Sequence, residues 1–341
     1  TIASQNLTTT KIYDGNSTAS VTDIILAGVR TGDEVSASGV ATYSDANVGT
    51  GKTITVVYTL SGADAARYTA PENFVLNTGE ITAKTLTISG LSGNNKVYDG
   101  TTAATVTGTP ELNGVVSGDE VVLGGSPVFN FQFETVGNDI EISASGYSIS
   151  GVDAANYNLT QPTGLSADIT TKEITVIGIT GNDRTYDGTT TATVSGAATL
   201  VGVITGDDVF LIGSPTFTFD SPNVGTNIDI TVSGYAISGT DELNYTFVQP
   251  TGLAADITGR ELTITGLTGD DKVYDGTTAA TVSGTPVLNG VISGDEVILG
   301  GSPVYSFVNE NFGFNVDIIA TGFTISGVDA ANYSLSQPSV L

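Results

Sequence analysis

KVYDGTTAATV, residues 96–106, returns letter for letter at 272–282, and near-copies stand at 11–21 (KIYDGNSTASV) and 184–194 (RTYDGTTTATV). A tyrosine, an acid, a glycine and two hydroxyls in one short string have the makings of a small active site. Their fourfold return points instead to architecture. The tyrosines fall at Tyr13, Tyr98, Tyr186 and Tyr274, giving spacings of 85, 88 and 88 residues. Asp-Gly after a strand tyrosine is a turn signal, because glycine accepts positive φ and the Asp carboxylate bonds backbone just ahead of it. The Thr/Ala/Val run that follows restarts a strand. Tyr98, Asp99, Gly100, Tyr186, Asp187, Gly188, Tyr274, Asp275 and Gly276 are therefore read as structural.

Two further markers keep register with the first. SGADAARY (61–68), SGVDAANY (150–157), SGTDELNY (238–245) and SGVDAANY (326–333) form one series. GDEV at 32–35, 118–121 and 294–297, with GDDV at 206–209, forms the other. Three ordered markers in four copies indicate tandem duplication. A period near 88 suits a self-contained small domain better than a solenoid unit that needs its neighbours. The domains are placed at 1–83, 84–171, 172–259 and 260–341.

The junctions EITAKTLTI (80–88), DITTKEITV (168–176) and DITGRELTI (256–264) hold no Pro and no Gly/Ser linker. A flexible tether needs several such residues, so rotation between neighbouring copies is expected to be restricted. The fourth copy stops at QPSVL (337–341) where the second continues QPTGLSADIT (161–170). Its last strand is expected to be missing or shortened.

Within a copy, apolar residues alternate as in half-buried strands. NIDITVSGYAIS (227–238) runs Ile228, Ile230, Val232, then Tyr235 and Ile237, so the phase slips at Gly234. The same slip occurs at Gly146 and Gly322, and an extra residue beside a glycine is the mark of a β-bulge. TITVVYTLSG (53–62) keeps its phase, so the first copy should lack the bulge. No long capped stretch of helical period is present. The fold class is mainly β: four tandem small β-domains end to end in an elongated rod. Each is an immunoglobulin-like sandwich, or β-grasp-like with one short helical turn at DAANY; both topologies fit. Tyr157, Tyr245 and Tyr333 resemble the tyrosine corner of immunoglobulin-like sandwiches, and are expected to be buried with bonded hydroxyls.

Composition narrows the function classes. The 341 residues carry 10 basic and 36 acidic side chains, a net charge of −26. Such a surface repels phosphate backbones and anionic lipid, which argues against nucleic acid. No apolar run suggests membrane insertion. Cys, Met, Trp and His are absent, which removes thiolate nucleophiles, His general bases, Zn–Cys/His sites and disulfides. No enzyme activity is expected. GTGKT (49–53) has part of a phosphate-loop pattern, but Ala46 stands at the leading glycine and a strand follows.

Calcium is the one cofactor with candidate ligands. Asp119, Glu120, Asp153, Asp207, Asp295 and Asp329 recur in turns, with Asn138 and Asp139 nearby. An intramolecular isopeptide bond would pair Lys96 with Asn156 and Lys272 with Asn332. Arg184 and Arg67 break that pattern in the other two copies.

The pair [KR]-x-YDG-[TN]-[TS]-[TA] and G-x-DAANY resembles the YDG-type repeat domain and the related MBG repeats of large bacterial surface adhesins, including filamentous-haemagglutinin-like exported proteins. The resemblance spans all four copies, with departures at Asn16-Ser17, AARY and DELNY. It implies a mainly-β extracellular stalk module on the bacterial cell surface, active in adhesion and biofilm, with no catalytic residue to carry over. The partners expected are neighbouring repeats of one monomeric polypeptide and a glycan or protein at a distal tip. The other functional expectation is a multivalent glycan- or protein-binding module.

Overall fold

The computed structural model describes residues 1–341 and is built of short β-strands with four single 3-10 turns. No helix is long and apolar enough to cross a membrane. The chain divides into two compact units, Thr1–Thr171 and Lys172–Leu341, each holding two copies of the repeat.

Every repeat builds two sheets around a shared core. In the second repeat, Lys84–Gly93 pairs antiparallel with Val106–Asn113 and parallel with the short Tyr157–Leu159. The other sheet runs in the order Val122–Phe131, Gly137–Ser150, Leu165–Thr170, Lys96–Val97, the last pair parallel. The third repeat repeats this arrangement. In the first repeat Ile2–Leu7 pairs with Val21–Leu26, and five strands make the second sheet. Period-2 alternation explains the packing, since each strand turns one face inward. In Gly49–Ser61, Lys52, Ile54, Val56 and Tyr58 are buried in alternation with more exposed residues. In the fourth repeat Ile264 of one sheet meets Ala320 and Phe323 of the other. The two-sheet core and the single helical turn at DAANY, expected of different topologies, are thus both present. Ala154–Asn156, Glu242–Asn244 and Ala330–Asn332 form that turn.

The glycine slip is real, with a different residue count. Gly125 faces Tyr147 and Val128 faces Ser145, so Ser126 and Pro127 together oppose Gly146. The extra residue lies on the opposing strand, not beside Gly146. Equivalent breaks occur at Gly213/Thr216 and Gly301/Val304, while Ser36–Tyr43 pairs with Ile54–Ser61 without interruption. A second bulge that sequence patterning did not reveal sits in the other sheet, where Thr109 and Pro110 oppose Gly90. Gly125 and Gly146 both have positive φ, 105° and 87°. A Cβ on Gly125 would lie 2.2 Å from the Gly146 carbonyl oxygen, which no side chain tolerates.

Consecutive repeats share strand ends. Phe74–Thr82 passes to Lys84–Gly93 through Ala83 alone, and Leu253–Thr258 passes to Arg260–Gly269 through Gly259 alone. Up to Leu341, the position of Leu165 in the second repeat, the fourth repeat pairs Ile298–Phe307 with Ile318–Ser326 in its second sheet.

Candidate functional site: the junction of consecutive repeats

The YDG turn is a local device. Lys96 reaches Asp99 Oδ1 at 2.7 Å and the Thr101 carbonyl at 2.5 Å, while Asp99 Oδ1 accepts the Thr101 N–H at 2.9 Å. Lys11 and Lys272 repeat the arrangement, and Arg184 does so with Asp187 and Thr189. Each cation lies over an aromatic ring of its own repeat: Tyr43, Phe131, Phe219 or Phe307. The basic residue two places before the tyrosine therefore secures the turn by charge-assisted bonds and a cation–π contact. Burial alone would raise the carboxyls of Asp14, Asp99 and Asp187. The bonds from the cation and from the turn outweigh it and hold all three below the ordinary range. At the open Asp275 the Lys272 bond leads, and the carboxyl falls to about 2. Gly15, Gly100, Gly188 and Gly276 take φ of 71–82°, as a turn glycine should.

The turn then aims its tyrosine at the next repeat. Tyr13 N–H is held by the Thr82 carbonyl at 2.8 Å, and Tyr186 N–H by Thr258 at 2.9 Å. Tyr13 hydroxyl donates to Asp119 Oδ2 at 2.8 Å, and Tyr157 hydroxyl donates to the same oxygen at 2.5 Å. Tyr157 also accepts the Val116 N–H at 2.9 Å. The two rings meet edge to face, with centroids 5.3 Å apart at 77°. Tyr13 belongs to the YDG turn of the first repeat, Asp119 to the GDEV turn of the second and Tyr157 to its DAANY turn. All three markers converge here.

The arrangement recurs in the other unit. Tyr186 and Tyr333 donate to Asp295 Oδ2 at 2.9 and 2.5 Å, and Tyr333 accepts the Ile292 N–H at 3.0 Å. Their ring centroids are 5.4 Å apart. Burial first, then the bond to the aspartate, raises every one of these phenols; Tyr186 is pushed up to about 12, and Tyr13, Tyr157 and Tyr333 move the same way.

A buried amide completes the junction. Asn156 Oδ1 accepts the Val48 N–H at 2.9 Å and its Nδ2 donates to Asn47 Oδ1 at 3.3 Å. Asn332 treats Val224 and Asn223 in the same way. Such bonds remove the penalty of burying an amide between two domains. Apolar contact adds to them, since Leu86, Val115, Val116, Val121 and Ile149 of the second repeat pack with Tyr13, Tyr43 and Val48 of the first. In the first repeat Arg67 stands where the others have Asn, 69% exposed and paired with Asp64 at 2.8 Å.

The remaining candidates find plain roles. Tyr157, Tyr245 and Tyr333 are buried with bonded hydroxyls. Their main-chain partner lies 41 residues upstream, farther than a corner motif implies. Tyr98 is buried and its N–H bonds Thr170. Tyr274, by contrast, is 63% exposed.

Among the calcium candidates, Asp119 and Asp295 accept the tyrosines and Asp207 accepts Tyr245. Asp153 and Asp329 accept the Glu120 and Glu296 N–H groups, tying the DAANY turn to the GDEV turn. No group of three or more carboxylates is arranged to hold a metal ion. Lys96 and Asn156, like Lys272 and Asn332, bond to different partners, so neither pair is joined as an isopeptide precursor. Lys52 of GTGKT is buried in the Gly49–Ser61 strand and pairs with Asp45 at 2.5 Å.

Four successive stretches, residues 1–74, 82–164, 170–252 and 258–340, match one family model, that of the YDG domain. No curated protein matches the chain.

Proposed function

We propose that this chain, which belongs to the YDG domain family and carries four copies in tandem, is a structural spacer segment. In this reading it extends a bacterial cell-surface adhesin and holds a distal adhesive region away from the cell. One observation carries the reading: the residues that repeat from copy to copy are spent on joining copies together. Tyr13 and Tyr157 are buried in the junction of two repeats, both bonded to the half-buried Asp119, rather than displayed to a ligand. A single residue separates the last strand of one repeat from the first of the next, which leaves no coil for free rotation. The reading assigns no catalytic residue, requires no metal, and places the protein outside the cell.

A multivalent glycan- or protein-binding module is the second reading. Its support is a recurrent exposed aliphatic residue before the DAANY turn: Val152 and Val328, with Leu243 inside the third turn, are each about 80% exposed. Exposed aromatic side chains, the usual platform for a sugar, occupy no position shared by all repeats.

Small-angle scattering of the whole chain, with calcium and with a chelator, tests the spacer. Four compact units of this size end to end would extend about 140–180 Å by globular scaling. That dimension in both buffers supports the reading. A compact particle in either would sink it, and extension only with calcium would return Asp119 and Asp153 to the role of ligands.

A further inference from the structure

The first and last segments of a repeat point the same way and pair with each other at both ends. In the second repeat Tyr157–Leu159 lies parallel to Lys84–Leu86, and Ile169–Thr170 lies parallel to Lys96–Val97. Asn95 and Asp168 face each other beside the second of these pairs, and all these partners stand 73 residues apart. The third repeat keeps the register. Lys172–Ile174 pairs with Tyr245–Phe247, Arg184–Thr185 with Ile257–Thr258, and Asp183 faces Asp256. Parallel pairs of the same kind join Thr10–Ile12 to Glu80–Thr82 and Arg260–Leu262 to Tyr333–Leu335.

Further bonds fasten the two segments to each other. The Thr160 N–H donates to the Leu86 carbonyl at 2.9 Å, and the Tyr98 N–H to the Thr170 carbonyl at 2.8 Å. Asn95 holds Asp168 twice: its Oδ1 accepts the Asp168 N–H at 2.9 Å, and its Nδ2 donates to the carboxylate at 3.2 Å. The Thr170 hydroxyl donates to the Lys96 carbonyl at 3.3 Å. Between the ends the segments nearly touch, since a Cβ on Gly93 would lie 2.4 Å from the Ser166 carbonyl oxygen. Gly181 has the same relation to Ala254, at 2.6 Å.

We propose that the repeat is a tension-bearing element, and that its paired first and last segments are the clamp that carries the load. A pull on the chain draws the first segment back from its start and the last segment forward from its end. Because both point the same way, they are driven to slide past each other lengthwise. Every bond across the pair is then strained at once, and none yields before its neighbours. Peeling the same strands apart from one end would strain the bonds one at a time. The load crosses from residues 84–97 to residues 157–170, so residues 98–156 carry none until the clamp slips. Forced unfolding is governed by the rate of that slip rather than by equilibrium stability. The use of such strength in a cell rests on the spacer reading, but the strength itself belongs to the single repeat. A long, weak chain would remove the clamp and leave the spacer standing, and a compact chain of strong repeats would do the reverse.

The chain has no cysteine, so a pair of introduced thiols gives unique handles for a single-molecule pull on the full chain. The A83C/K172C pair loads the second repeat through its two ends. The T85C/N158C pair pulls on two facing residues at one end of the clamp and peels it. At one pulling speed, A83C/K172C should rupture in a single event at a force several-fold above that of T85C/N158C. Comparable forces, or stepwise yielding under end loading, overturn the proposal. A second comparison decides the matter if T85C/N158C fails to fold. Added to A83C/K172C, N95A removes the bonds to Asp168 and should lower the rupture force. N113A removes bonds to the Ser89 hydroxyl and the Glu111 carbonyl, away from the last segment, and should leave the force unchanged. Equal effects of the two substitutions overturn the proposal as well.

Discussion

The hydroxyl of Tyr13 donates to Asp119 across 2.8 Å, although the two residues stand 106 positions apart and in different repeats. Tyr186 and Asp295 repeat the relation 109 positions apart. Each bond is formed by a YDG tyrosine and the GDEV aspartate of the following copy. The string that recurs along the chain thus acts on its neighbour as much as on its own turn.

Removing the shared acceptor should be severe. D119A leaves two buried phenol hydroxyls without their carboxylate, a loss of about 2–5 kcal/mol. E120A changes an exposed neighbouring acid and should stay within about 0.5 kcal/mol. The midpoint of denaturant unfolding separates the two, and equal effects would show that the Asp119 oxygen carries no special burden.

Alkali should loosen the junctions at a defined pH. The Tyr186 phenol has its ordinary value of 10.0 when unfolded and about 12 in the fold, so the fold favours the neutral form. The stabilisation, about 2–3 kcal/mol, is complete below pH 10 and is lost as pH rises toward 12. Tyrosinate absorbance followed against pH should show a late-titrating class, and Y186F should shrink it. A single class titrating near 10 would contradict the burial of these phenols.

Acid acts on the turns in the opposite sense. Asp275 is lowered to about 2 from 3.8, chiefly by the Lys272 bond. Its contribution is present above pH 4 and fades as pH falls toward 2. Measured unfolding midpoints of D275N should therefore vary less between pH 4 and 2 than those of the parent. An unchanged slope would remove the carboxylate from the account of the turn.

The bulge glycines should be intolerant. G125A forces a Cβ to 2.2 Å from the Gly146 oxygen at φ 105°, and both strain and clash point to a loss above about 2 kcal/mol. G164A has a similar backbone, φ 74°, but open space around it, and should lose only about 1 kcal/mol. Comparable losses at the two sites, measured by thermal unfolding, would mean that the close strand approach is relaxed in solution.

The sequence made the local features legible and hid the ones between repeats. Tandem copies, the Asp-Gly turn and the phase slip at Gly146 all follow from chain-local chemistry. Alternation on one strand cannot show which of two strands holds the extra residue, and here it is the strand opposite Gly146. The bulge at Gly90 escaped because its partners, Thr109 and Pro110, lie on another strand. The junction was hidden for the same reason: Tyr13, Asp119 and Tyr157 were each visible as markers, but nothing in their spacing pairs a tyrosine with the aspartate of the next copy. Arg67 was the available clue. It is exposed where Asn156 and Asn332 are buried against a preceding repeat.

The most direct test of the junction is a double-mutant cycle joining Tyr13 and Asp119, with Y13F, D119N and the pair compared by denaturant unfolding of the full chain. A bond between the two groups predicts a coupling energy of about 1–3 kcal/mol, the second substitution costing less once the first is made. Losses that add within about 0.5 kcal/mol would mean that the two residues act independently, and that this bond does not join the repeats.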